Sequence, residues 1–387
     1  MVVYNYKCIT IMKIKDFALE RFFSKYEFST KYLMSSSDCD GYSMSYVLDK
    51  ADTHEMRLWN NLHLGYTESA GNPMLKEAIA KYYHGVTMNN VVVGTPGELS
   101  FIIMNLLLEK DDHAIVVAPA YQSLYEVINS VGADVSFWKP HLKDNWVFDV
   151  DEFISLIKDN TRLIVLNFPH NPTGAYLKEE ELQQIVKLAR DRGIWIYSDE
   201  MYRKLILDSS VKELPAISDI YEKGISLWGT SKTFGLAGVR TGWVVSQNKD
   251  ILTKIVSYKD YLSICSSAPS EVLSIIALNH IDAFLKPNIT KIKSNIELFD
   301  KFLKERENID SAKMSQWRNA FGKFVKPKVG SVSFIPLNIK GTSLDFSVQL
   351  IKKLGIMTVP AEMFEYPGKY LRIGFGREIF KEMLKLL

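Results

Sequence analysis

The sequence predicts an α/β protein in which helices sandwich a mostly parallel sheet, with a smaller α+β domain attached. Three observations carry this. From Asn90 to Ser198, short apolar runs alternate with amphipathic segments, the pattern of buried parallel strands covered by helices on both faces. At 387 residues the chain is longer than one ordinary core can organise. Beyond Ser270 the alternation gives way to a long helical stretch and shorter mixed elements. We expect residues 1–50 to form an N-terminal segment belonging to the small domain, 51–270 a large domain and 271–387 the rest of the small domain.

In order, Ile14, Phe17, Ala18, Phe22 and Phe23 recur near helical spacing and predict an amphipathic helix over Lys13 to Tyr26. Ser35 to Gly41 is turn-forming, and Met44 to Asp49 begins another helix. Pro73 opens a helix running to Tyr83, since proline is tolerated at the first helical position. Strands follow at Val91 to Val93, Ala114 to Ala118, Asp134 to Trp138, Leu163 to Asn167 and Ile194 to Ser198. Helices fall between them, after Thr95 to Leu108, over Tyr121 to Val131, Val150 to Ile157 and Lys178 to Asp191. Ile225 to Trp228 and Trp243 to Val245 are two further buried strands. A helical stretch from Glu271 to Glu307 should be interrupted at Pro287. Elements at Val332 to Leu337, Leu344 to Leu354, Met357 to Val359 and Tyr370 to Phe375, with a helix after Arg377, complete the chain.

Composition narrows the function. Hydrophobic content of 47% and charged content of 24% are those of a globular protein, and a net charge of +2 offers no case for nucleic acid or an acidic membrane. Cys8, Cys39 and Cys265 lie far apart without C-x-x-C spacing, which suggests neither disulfides nor zinc and fits a reducing cytoplasm. The first twelve residues lack a long apolar core, so neither export nor a membrane span is expected, and translation from Met1 or from Met12 stays open.

The chemistry concentrates in loops that follow strands. Lys232 sits in a hydroxyl- and glycine-rich turn between two buried strands, with Arg240 eight positions on. A lysine amine that is desolvated or placed near other cations loses its proton readily and can form a Schiff base, although a loop lysine is ordinarily just solvated. Asn167 to Gly174 and Ser198 to Tyr202 follow the two preceding strands, and ligands in parallel sheets bind at such carboxyl ends. Either segment alone is a common turn or helix cap.

Together, LGYTESAGNPMLKEAI (64–79), NFPHNPTG (167–174), SDEMY (198–202), TSKTFGLAGVRTGW (230–243) and YLRIGFG (370–376) resemble the fold-type I pyridoxal-phosphate enzymes, specifically the class I/II aminotransferases. The resemblance runs from Leu64 to the C-terminus and implies pyridoxal 5′-phosphate as cofactor, amino acids and 2-oxo acids as substrates, and a homodimer. It makes Lys232 the Schiff-base lysine and proton carrier, and Asp199 the partner of the pyridine nitrogen. Asn171 and Tyr202 would bond the phenolic oxygen, and Tyr121 would stack on the ring. Phosphate would be held by Arg240, by Thr230 or Ser231, and by the helix start at Thr95, Gly97 and Glu98. Tyr66 would reach the phosphate of the neighbouring subunit. Arg372 would clamp the substrate α-carboxylate, with Asn167 in the same subsite.

Two positions depart from the family pattern. Pro96 has no amide to offer, and Gly229 stands where a serine is common, so the phosphate cup should lean on Arg240. His170, Trp195 and Trp243 read as structural, whereas Trp228 is close enough to line the site. Substrate specificity is expected from Asp38 to Tyr46 and Tyr258 to Ser267. No metal spacing or dinucleotide fingerprint occurs, and a lyase, decarboxylase or cyclising enzyme is the alternative with the same residues.

Overall fold

In the computed structural model, residues 14–305 and 315–387 are described; Met1, Cys8, Met12, Lys13 and the expected helical end at Glu307 lie outside them. The N-terminal segment gives helix α1 (Ala18–Tyr26), strand β1 (Tyr32–Leu33), and helices α2 (Met44–Leu48), α3 (Thr53–Asn60) and α4 (Pro73–Ala80). Alternation then begins with β2 (Val91–Gly94), α5 (Pro96–Leu107), β3 (His113–Val117), α6 (Ser123–Val131) and β4 (Asp134–Trp138). It continues through α7 (Val150–Ser155), β5 (Thr161–Asn167), α8 (Glu179–Arg192), β6 (Trp195–Asp199), α9 (Ile217–Ile220), β7 (Gly224–Gly229) and β8 (Gly242–Val245). The remainder is α10 (Lys249–Lys259), α11 (Ala268–Asn279), α12 (Ile281–Lys304), α13 (Gln316–Ala320), β9 (Val332–Pro336), α14 (Ser343–Leu354), β10 (Ile356–Met357), β11 (Val359–Pro360), β12 (Tyr370–Gly374) and α15 (Phe380–Leu386).

Seven strands form the central sheet in the order β2-β8-β7-β6-β5-β3-β4. Only β8 runs antiparallel to its neighbours. The carboxyl ends of β2, β3, β5, β6 and β7 therefore share one edge, and β8 begins there. Every residue of β2, β3, β7 and β8 is buried, as a sheet covered on both faces requires. A smaller antiparallel sheet, β11-β12-β9, brings β12 toward that edge, and β1 pairs with β10.

Glycines let the backbone approach closely at two places. Gly94, Gly242 and Gly229 stand in register across β2, β8 and β7. A Cβ on Gly242 would meet the Pro96 ring at 2.7 Å, and one on Gly229 would meet the Thr241 carbonyl at 2.9 Å. The proline and the missing serine thus belong to one packing arrangement. In β12 and beyond, a Cβ on Gly374 or Gly376 would overlap the backbone carbonyl of Ser36 or Asp38.

Two expectations need correction. Helix α12 runs unbroken through Pro287, because the carbonyl that proline leaves unpaired, Ala283 O, accepts from the Tyr46 hydroxyl at 2.8 Å. The break falls instead at His280, where the buried Glu55 carboxylate holds both the Asn279 amide and the His280 ring. The strand expected at Met357 to Val359 divides between two partners, Met357 pairing with β1 and Val359 with β12. Helices α3 and α10 are not among the expected elements, although a capping box of Asp52 and Glu55 opens α3 and Ile251, Leu252 and Ile255 recur at helical spacing in α10.

Candidate active site

The shared carboxyl edge opens into a cavity of about 560 Å³. Gly97 and Ser100 come from α5, Tyr121 from the turn after β3, Asn167 and Asn171 from β5 and its loop, and Asp199, Met201 and Tyr202 from β6 and beyond. Ser231, Lys232 and Arg240 line it between β7 and β8, and Arg372 enters from β12. Residues far apart in sequence meet here because strand ends do.

Polar bonds fix these groups. The Asn167 side chain donates to the Asp199 carbonyl at 2.9 Å and accepts from the Asn171 amide at 3.0 Å, joining the ends of β5 and β6. Asp199 Oδ1 accepts from the Met201 amide at 3.1 Å. The carboxyl opens onto the cavity but lies below the protein surface, and burial pushes it up to about 6, against the Met201 hydrogen bond and the nearby Lys232 charge. Lys232 Nζ donates to Ser37 Oγ at 2.9 Å. Thr233, next in sequence, donates through its hydroxyl to the Arg203 carbonyl at 2.6 Å, tying the lysine loop to the segment that carries Tyr202.

Arg372 is buried at 2% exposure. Its guanidinium donates to Asn171 Oδ1 at 3.1 Å and to the Ser35 carbonyl at 2.8 Å, while Nε has no partner. Among the described residues no carboxylate pairs with it, and burial draws its pKa below the ordinary value. The Tyr202 hydroxyl is likewise buried without a partner. The Tyr121 hydroxyl donates to Glu20 Oε1 at 2.5 Å, which fixes the ring, and burial with that acid raises its pKa.

The structure separates the phosphate candidates. Thr230 is fully buried and its hydroxyl donates to the Thr241 carbonyl at 3.0 Å, whereas Ser231 lines the cavity. In the first turn of α5 the Leu99 amide is already bonded to Thr95 O, and Glu98 accepts from the Ser263 amide. Thr95 and the Glu98 side chain stand off the cavity wall, and Gly97 is on it. Arg240 adopts a left-handed backbone (φ 58°), ending the short turn Ala237–Val239 before β8. Tyr66 is 87% exposed and does not line its own chain's cavity.

Other expectations shift. Trp228 is fully buried, packed against Trp243 and Phe234, and lines no part of the cavity. Of Asp38 to Tyr46 only Asp38 reaches the wall; Tyr42 and Tyr46 turn away to bond α12. Tyr258 to Ser267 is off the wall, and Tyr258, Tyr261 and Leu262 border a separate apolar cleft. His170 is buried and bonded to Thr173, and burial pushes its pKa down to about 3, so it is neutral and structural. Sequence reasoning missed Glu20, Phe23 and Glu27 of the first helical segment and Ser36 and Ser37, all on the wall. The signal was available for the first three, whose 3 and 4 spacing puts them on one helix face.

Helix α12 contributes from behind the wall. Asn288 donates to the Thr233 carbonyl at 3.0 Å, Lys291 to Asp40 at 3.0 Å, and Asn295 to the carbonyls of Phe375 and Arg377 at 2.9 and 2.8 Å. Their spacing of 3 and 4 puts all three on one face of the helix.

A family model described as aminotransferase class I and II matches residues 29–382. The chain belongs to this family. An aspartate aminotransferase of Pyrococcus horikoshii is 32% identical over 329 residues, covering 80% of this chain and 78% of that protein. A capreomycidine synthase of Streptomyces vinaceus is 26% identical over 372 residues, covering 94% and 88%. The crystal structure of a PLP-dependent aminotransferase from Streptococcus suis matches with a TM-score of 0.85 at 28% identity, over 97% of this chain and 96% of that one.

As a class I and II aminotransferase the protein is an enzyme whose cofactor is pyridoxal 5′-phosphate, and its cavity fits that group. A helix N-terminus with Ser231 and Arg240 beside it suits a dianion. Burial pushes the Asp199 carboxyl up to about 6, and a cation set against it would lower it again and favour the ionised form. The unpartnered Tyr202 hydroxyl and Arg372 Nε await acceptors. Among the described residues no helix is long and apolar enough to cross a membrane, and no group of side chains could hold a metal ion.

Proposed function

We propose that this protein moves an amino group from an amino acid to a 2-oxo acid, with Lys232 as the residue that bonds the cofactor and then moves the proton at the substrate α-carbon. One observation carries this reading: Lys232 and an arginine without a carboxylate partner, Arg372, open onto the same cavity. When bound, pyridoxal 5′-phosphate supplies an aldehyde that condenses with amines and a ring that withdraws electrons from the α-carbon. Asp199 would hold its charge against the ring nitrogen, and Tyr202 and the Asn171 amide would donate to the phenolic oxygen. Asn171 can do so because Arg372 occupies its other atom, Oδ1. Tyr121 would stack on the ring, its tilt fixed by Glu20.

Phosphate would be held by Arg240, Ser231 and the backbone amides of Gly97 and Glu98, while Thr95 and Thr230 support that cup from behind. Tyr66 would reach the phosphate of a second copy, consistent with its exposure, so the active unit would be a homodimer. Arg372 would take the α-carboxylate through the in-plane N–H groups that its bonds to Asn171 and Ser35 leave over, with Asn167 bracing the subsite. Free Cys39 and Cys265 favour the cytoplasm. Holding the cofactor-loaded enzyme with an amino acid should give product only when a 2-oxo acid is added; ammonia release without an acceptor would sink the reading. A second reading, a lyase or cyclising enzyme on the same residues, is favoured by the likeness to a synthase over 94% of the chain. Product analysis by mass spectrometry separates the two.

A further inference from the structure

The wall facing the sheet ends is acidic. Helix α1 and the turn after it present Glu20, Phe23 and Glu27 to the cavity, and Asp38 joins them from the segment that follows. Residues three and four apart stack along one helix face, so two carboxylates flank an aromatic ring. Their partners are few. Glu20 accepts from Tyr121, and Asp38 shares Arg377 with Asp40 at 3.4 Å. The Glu27 carboxylate has no hydrogen bond or ion pair among the described residues. Burial and then the neighbouring Asp38 and Glu20 raise its pKa, against Arg377 and Lys232, as expected of acids crowded without enough positive charge.

The cations on the cavity are already spoken for. They are Lys232, Arg240 and Arg372, and the proposed function assigns them to cofactor, phosphate and α-carboxylate. No fourth one lines the described wall to receive a second carboxylate. Tyr202 and Arg372, 3% and 2% exposed, line the same space and each keeps a polar atom without a partner, which marks it as a ligand site independently of the acids.

We infer that the side-chain end of this cavity takes a cationic group on an apolar stem, so that the preferred amino donor is a basic amino acid of the ornithine, lysine or arginine kind. The stem lies along Leu19 and Phe23, whose ring also attracts a cation, and the charge sits among Glu20, Glu27 and Asp38. This rests on the reading of Arg372 as the carboxylate clamp.

The test separates binding from chemistry. Calorimetric titration of the cofactor-loaded enzyme with acids lacking an α-amine, 5-guanidinopentanoate, hexanoate and adipate, should rank the guanidino acid tightest by about tenfold or more. Glu27→Gln should remove most of that advantage; the comparison of the three ligands on the unaltered enzyme stands even if a variant misfolds. Equal binding of the three, tighter adipate, or an advantage untouched by Glu27→Gln overturns the inference. Amino transfer to an added 2-oxo acid is then measured with L-ornithine, L-norleucine and L-aspartate. Failure of all three donors with the binding order intact retires the aminotransfer reading and leaves the cation site; aspartate as the fastest donor, with adipate binding tighter, retires the cation site alone.

Discussion

The two walls of the cavity are held in different ways. On the sheet side, Asn167, Asp199 and Lys232 stand at or just beyond the ends of buried strands, whose ladders fix the backbone on both sides. On the opposite side, α1 buries Leu19 and Phe22 but has no strand ladder, and its long-range bonds run from Ala18 N to the Gln122 side chain at 2.8 Å, from Gln122 back to Asp16 O at 2.9 Å, and from Tyr121 to Glu20. Ser35 to Asp38 hangs similarly from Arg372, Ser331 and the close-packed Gly374 and Gly376. Bond-breaking chemistry requires fixed geometry, and recognition tolerates a wall that can adjust. The difference fits the proposed division, with reaction on one side and selectivity on the other.

That division can be broken by substitution. Lys232→Ala should lower turnover by about 10⁴-fold or more and abolish the cofactor adduct trapped by borohydride, read by mass spectrometry. Arg372→Ala, where the walls meet, should lower kcat/KM by about 100-fold or more, because a charged partner is removed from a buried site. A smaller loss of about 10- to 100-fold in cofactor affinity, by equilibrium dialysis, is expected for Arg240→Ala, since Gly97 and Ser231 remain. Ser37→Ala should change kcat only a few-fold, since Ser37 gives Lys232 a single bond from the adjustable side. A Ser37 variant as damaged as the lysine variant would erase the distinction between the walls.

Asp199 offers a test without turnover. Its folded-state carboxyl titrates at about 6 against 3.8 ordinarily, so between these values the folded chain keeps a proton that the unfolded chain releases. Stability of the cofactor-free protein should therefore fall as pH rises through that window, by about 2–3 kcal/mol. Asp199→Asn should flatten the slope in urea titrations at pH 4 and 6.5, and bound cofactor should oppose it.

The sheet and its loops were legible in the sequence because apolar strands and glycine-proline turns are local signals. Lys232, Asp199 and Asn171 fall where those signals place them. The opposite wall was legible only as a helix face: the 3 and 4 spacing groups Glu20, Phe23 and Glu27, but that face looks solvated until β12 brings Arg372 and Ser35 together across the chain. Thr230 and Ser231 could not be told apart because their difference is set by the Thr241 carbonyl on the next strand. Pro287 misled for a similar reason: the hydroxyl that rescues the helix belongs to Tyr46, distant in sequence.

The polar face of α12 has a mechanical consequence. Asn288, Lys291 and Asn295 grip the lysine loop, the N-terminal segment and the turn beyond β12 at fixed intervals along one rod. The helix is thus a ruler that sets the spacing between the loop of Lys232 and the strand of Arg372. Closing the two walls on a ligand would shift all three grips together, so a change in length or pitch at any of them would put the whole gap out of gauge.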